Sequence, residues 1–84
     1  MTHSGLWGAI DMIAKYCDKT PSALARACGM DPTSFNHSKR WDRFGKPRWP
    51  SVKTLARIIE VAHITDEEFM RILSVSEAAQ KQPA

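Results

Sequence analysis

The chain has 84 residues, 43% hydrophobic and 25% charged, with a net charge of +3. That supplies one small core, in the proportions of an ordinary globular domain. Nothing in it resembles a signal peptide, and no apolar run approaches the ~20 residues needed to span a bilayer. A cytoplasmic protein without a membrane partner is therefore expected.

The charge is unevenly spread. Residues 1–38 are balanced, residues 39–57 carry +6, and residues 58–84 carry −3. A basic block of this kind is an electrostatic footprint for a polyanion. Cys17 and Cys28 form no CxxC pair and have no histidine at zinc-finger spacing, so both are expected as reduced thiols in or near the core. No metal and no cofactor is expected.

In chain order, residues 1–5 read as a flexible lead-in. Leu6, Trp7, Ile10, Ile13, Ala14 and Cys17 recur at helical spacing, which predicts a first helix from Leu6 to Cys17. Thr20 is placed to N-cap a second helix from Pro21 to Cys28, with proline in its first turn. Gly29 ends it as a left-handed residue, and Met30 anchors the turn. Asp31 and Pro32 then repeat the start signal for a third helix, from Pro32 to Lys39. Phe35 points that helix back onto the second.

Two short helices with a tight turn between them form the pattern of a helix-turn-helix, whose second helix enters the DNA major groove. On a helix, Thr33, Asn36, His37 and Arg40 would share one stripe. All four are hydrogen-bonding side chains of the kinds that read base edges.

The stretch from Trp41 to Pro50 is long for a loop in so small a domain, and Gly45, Pro47 and Pro50 bar regular structure there. Its aromatic residues alternate with bases, which suits phosphate contact, with Trp41, Phe44 or Trp49 pinning the loop to the core. Ser51 caps a fourth helix whose buried stripe is predicted as Val52, Leu55, Ile59 and Ala62, with Lys53 and Arg57 on another face. His63 reads as a surface or capping residue at its end.

Thr65 and Glu68 form a capping box for a fifth helix, and Ile64 and Phe69 can staple across it. Phe69, Ile72 and Leu73 complete the core. Residues 74–84 lose periodicity and read as a flexible tail or linker, leaving residues 1–73 as the folded domain.

With five predicted helices, the motif Leu-Ala-x-x-x-Gly-Met-x-x-x-x-Phe over Leu24 to Phe35, and the segments 31–40 and 45–51, the chain resembles the lambda-repressor-like DNA-binding domains. The two segments resemble most closely the phage-type repressors that carry a C-terminal LexA-like self-cleavage domain. The resemblance covers about Leu6 to Leu73. It implies a compact all-α, five-helix domain with the helix-turn-helix at helices 2 and 3.

By position, the resemblance implies Thr33, Ser34, Asn36 and His37 as base-reading residues, with Arg40 added from the helical stripe. It implies Thr20, Ser22, Lys39, Lys46 and Arg48 as phosphate-binding residues, joined by Arg43 of the basic block and Ser51 at the fourth helix. One position departs from the family: Ser38 stands where an aliphatic residue is usual, which leaves the end of the third helix less firmly packed.

The expected function is sequence-specific binding of double-stranded DNA in transcription regulation. The expected mode is repression by a dimer on a pseudo-palindromic operator, the free chain being a monomer or weak homodimer. The chain reads as the N-terminal domain of a longer repressor rather than as a stand-alone regulator. An enzyme is not expected: there is no carboxylate pair, triad or glycine-rich phosphate loop, and Ser38-Lys39 and Ser51-x-Lys53 lie in the basic region rather than forming a buried Ser–Lys pair. The alternative is a protein-interaction module, an antitoxin or anti-activator, that reuses the same fold.

Overall fold

A computed structural model describes residues 1–81. Among them are four α-helices, α1 (His3–Tyr16), α2 (Pro21–Ala27), α3 (Val52–Ala62) and α4 (Asp66–Lys81), and one 3-10 turn at His37–Arg40. The described residues contain no β-strand, only an isolated antiparallel bridge between Trp41 and Pro47. The domain is all-helical as predicted, with four α-helices where five were expected. No helix among the described residues is long and apolar enough to cross a membrane.

The central element is α1. It begins earlier than predicted, because the Thr2 hydroxyl caps it by accepting from the Gly5 amide at 3.0 Å. Residues 3–5 are therefore helix and not lead-in. Leu6, Trp7, Ala9, Ile10, Ile13 and Ala14 are buried along it, and these residues centre the core.

The closest packing is between α1 and α4. A Cβ on Gly8 would overlap the Ser76 hydroxyl, and one on Gly5 would overlap the Glu77 side chain. The glycines let the two helices meet nearly backbone to backbone. Ser76 is buried and its hydroxyl donates to the Gly5 carbonyl at 2.7 Å, so its polar atom is satisfied where it is hidden from water. This corrects the expected tail. Instead of stopping at Leu73, α4 runs to Lys81, with Phe69, Leu73 and Ser76 forming one i, i+4, i+7 stripe. The last three residues of the expected tail, 82–84, lie outside the described residues.

Thr20 caps α2 by accepting from the Ala23 amide at 3.1 Å, with Pro21 in the first turn. Gly29 adopts φ +74, and the Gly29 and Met30 amides donate back to the Arg26 and Ala25 carbonyls, both at 2.9 Å. That is a Schellman ending, which a Cβ at Gly29 would strain.

The third predicted helix does not form. Residues 31–36 are successive turns closed by i to i+3 bonds, Asn36 is extended at φ −62 and ψ 147, and only His37–Arg40 winds into a 3-10 turn. The reason is local. Asp, Pro, Thr, Ser, Asn and His are poor helix formers, and Phe35 is the only apolar residue that the segment buries. Ser38 is exposed and adds no apolar anchor to the segment.

Ser51 caps α3 by accepting from the Thr54 amide at 3.1 Å. Its inward face is turned from the predicted one: Ile58 is fully buried, Leu55, Ile59 and Ala62 pack beside it, and Val52 is 83% exposed. His63 closes the helix in a left-handed conformation at φ +55, in the predicted capping role. The Thr65–Glu68 box is formed, the Thr65 amide donating to Glu68 Oε1 at 2.9 Å and the Glu68 amide to Thr65 Oγ1 at 3.0 Å. Both thiols are free, Cys28 in the core and Cys17 at its edge.

Candidate nucleic-acid interface

The turn segment 31–40 is fixed at both ends and in the middle. At its start, the Asp31 carboxylate accepts from the Thr33 hydroxyl at 2.6 Å and from the Thr33 amide at 2.9 Å. Those two bonds hold the Asp31 carboxyl below its usual range. In the middle, Phe35 is buried edge-on against Trp7, with ring centroids 6.1 Å apart.

At its end, Arg40 turns inward. Its guanidinium donates to both Asp11 oxygens at 2.7 and 2.9 Å and to the Phe35 carbonyl at 3.0 Å, and lies 4.9 Å from the Trp7 ring centroid. Arg40 is 5% exposed. It is therefore a structural clamp between α1 and the turn segment, and the expectation that it reads bases is corrected. The two terminal nitrogens of the fork are held by one carboxylate and one carbonyl, the buried Nε has no partner among the described residues, and α1 supplies both the acid and the aromatic face.

The remaining expected base readers stay near the surface. Asn36 and His37 line an open groove of about 430 Å³ together with Lys15, Lys19, Ser22 and Phe35. Ser34 lines a second groove of about 190 Å³ with Lys39, Arg48, Trp49 and Ser51. Buried Phe35 belongs to both, so the segment forms a ridge between two grooves, the first lined by Lys15 and Lys19 together with the Asp11–Arg40 pair, the second by Lys39 and Arg48. Asn36 makes no capping bond with its side chain, so the carboxamide is not committed to the turn. Thr33 is exposed, but its hydroxyl proton is already given to Asp31, which leaves it only as an acceptor. His37 is exposed and its ring lies 5.4 Å from that of Trp41.

Of the expected phosphate contacts, Lys39, Arg43, Lys46 and Arg48 are all exposed. Thr20 and Ser51 use their hydroxyl oxygens to cap α2 and α3. The Ser51 proton is given to Thr54 Oγ1 at 3.0 Å, whereas Thr20 keeps its proton to offer. Ser22 is half-buried in the first groove.

Of the loop's own aromatic residues, Phe44 is 74% exposed and pins nothing, whereas Trp41 and Trp49 are part-exposed and reach α1 through His3. The anchors come from α1. The Arg48 carbonyl accepts from the Trp7 indole N–H at 2.9 Å, and His3 Nε2 lies 2.8 Å from the Arg40 carbonyl and 3.1 Å from the Arg48 carbonyl. The His3 ring meets Trp41 and Trp49 edge-on at 5.0 and 5.6 Å.

Sequence reasoning missed His3 because it treated residues 1–5 as lead-in. It missed the Asp11–Arg40 pair because the partners lie 29 residues apart and Arg40 was assigned to a base-reading stripe. An aspartate interrupting the apolar run of α1 was the available signal.

No family model, no curated protein and no solved structure matches the chain. The class that fold and surface define is thus a small all-helical domain with a basic, grooved face.

Proposed function

We propose that the chain binds double-stranded DNA sequence-specifically, as the DNA-binding domain of a phage-type transcriptional regulator that represses by occupying a pseudo-palindromic operator as a dimer. One observation carries this reading. The 33–37 ridge presents Ser34, Asn36 and His37 between two grooves, one walled by Lys15 and Lys19, the other by Lys39 and Arg48. Amide, hydroxyl and imidazole groups recognise base edges, and flanking cations hold the phosphates on either side. Because the ridge is a chain of turns and not an α-helix, it would meet the major groove with a short protruding edge. Repression follows from occlusion and needs no second activity.

The test begins with selection of bound duplexes from a random pool. Enrichment of a motif is the expected result, and failure to enrich any at low salt would move the reading to a protein-interaction module. On the selected duplex, Asn36→Ala should cost about 1–3 kcal/mol and leave binding to scrambled DNA nearly unchanged. Lys46→Ala with Arg48→Ala should weaken both duplexes alike and flatten the salt slope by about one unit per charge removed. Equal loss on both duplexes for Asn36→Ala would remove the ridge from base reading.

A further inference from the structure

One solitary exposed aromatic residue is ordinary on a protein surface, but Phe44 is held in an unusual way. It sits third in the turn Asp42-Arg43-Phe44-Gly45, and the turn is rigid. The Asp42 carboxylate accepts from the Phe44 amide at 2.8 Å and the Lys46 amide at 2.9 Å. The Gly45 amide closes on the Asp42 carbonyl at 3.0 Å, with Gly45 at φ +80, where a side chain would be strained. Below the turn, the Asp42 amide meets the Lys46 carbonyl and the Arg48 amide meets the Arg40 carbonyl, both at 2.8 Å. The base of this small hairpin is then tied to α1 through His3 and Trp7.

The tip therefore carries a 74% exposed phenyl ring on a preorganised support. The Arg43 guanidinium lies over it, 4.8 Å from the ring centroid. Lys46 and Arg48 follow, both exposed. The single acid, Asp42, is outnumbered by Arg43, Lys46 and Arg48, so the net charge of the tip is positive.

From this we infer that Phe44 is a wedge that enters a DNA base step, with Arg43 and Lys46 holding the phosphates on either side. This rests on the DNA-binding reading and adds to it a second contact element besides the 33–37 ridge. An apolar side chain projecting between cations has the chemistry of minor-groove wedges, which part-unstack one step and bend the duplex. Pyrimidine–purine steps yield most easily. A membrane surface is the weaker match, since one ring supplies little of the apolar area that interfacial anchoring needs.

The test uses the whole chain and a labelled duplex with 2-aminopurine in a central TA step, at low salt. Anisotropy reports binding, and 2-aminopurine fluorescence reports loss of stacking. Wild-type protein should bind and raise the fluorescence several-fold. Phe44→Ala should bind roughly tenfold more weakly and, at saturation, lose the rise, whereas Phe44→Leu should keep most of it. Because the ring is exposed, both variants should keep the wild-type circular dichroism.

Binding by wild type without a rise, or an undiminished rise with Phe44→Ala, overturns the wedge and leaves DNA binding intact. No binding to any duplex overturns the DNA reading, and the wedge with it. Phe44-dependent binding to phosphatidylserine vesicles, with no fluorescence rise on DNA, would assign the tip to a membrane instead.

Discussion

Asp11→Ala isolates the clamp between α1 and the turn segment. The Arg40 side chain is 6% exposed and the Asp11 side chain 43% exposed, so the substitution strands a cation on a side chain almost fully withdrawn from water. Breaking a fully buried pair in this way costs about 3–5 kcal/mol. Water reaches the Asp11 side of this pair, and the Phe35 carbonyl and Trp7 face remain to the cation, so the expected loss is about 2 kcal/mol. For a domain of this size that corresponds to a fall in Tm of roughly 8–16 °C.

Arg40→Met removes the cation but keeps its length and apolar stem, and should cost only about 1 kcal/mol. The double variant should then be more stable than the sum of the two by at least about 1 kcal/mol. Urea titrations of the four proteins give the cycle. Additivity within about 0.5 kcal/mol would show that the pair contributes nothing as a pair. Binding gives a second readout: Arg40→Met should keep the base preference of the selected duplex, and a relaxed preference would return Arg40 to the DNA.

Gly8→Ala should destabilise by about 1–3 kcal/mol, because the added methyl meets Ser76 where α1 and α4 touch, and a Ser76→Ala background should recover part of the loss in thermal melts. Burial pushes the Cys28 thiol up, opposed in part by Arg57, so thiol alkylation followed by mass spectrometry should modify Cys17 well before Cys28. The same raised value means that Cys28 contributes fully below the ordinary thiol range and that its contribution is lost as pH rises through the folded value. Asp31 has the opposite sign: its lowered carboxyl supports the 31–34 turn above the usual carboxylate range, and support is lost as pH falls through the folded value. The Thr33 amide resonance should shift only in that lower range, and an ordinary carboxylate titration there would refute the Asp31–Thr33 bonds.

Where one residue type decides a conformation, the sequence was readable. Thr20-Pro21, Gly29, Ser51 and the Thr65–Glu68 box each mark a helix end, and each end lies there. The turn segment was misread because a start signal at Asp31-Pro32 says where a helix could begin and nothing about whether it can bury enough to persist. With Phe35 alone beneath it, propensity prevailed. The α3 stripe was misjudged because apolar residues crowd both sides of Glu60, Ile58 and Ile59 before it and Val61 and Ala62 after it, and fit two overlapping faces equally well. At α4 the error came from reading apolar periodicity only, which passes over a serine that packs against glycine. The basic face was legible as charge, whereas Arg40 could be removed from it only by knowing where Asp11 lies.

The Arg48 carbonyl also bears on the order in which the chain folds. The bonds from His3 and Trp7 that fix the basic loop join residues 37, 41 and 45 apart in sequence. Contacts of such separation close large loops and are expected late, after local helices have formed. A nascent or partly folded chain would thus have its helices before it has its basic loop in place. The loop's geometry would then be acquired only at the final docking step, so that a half-made molecule would carry the loop's charge without its shape.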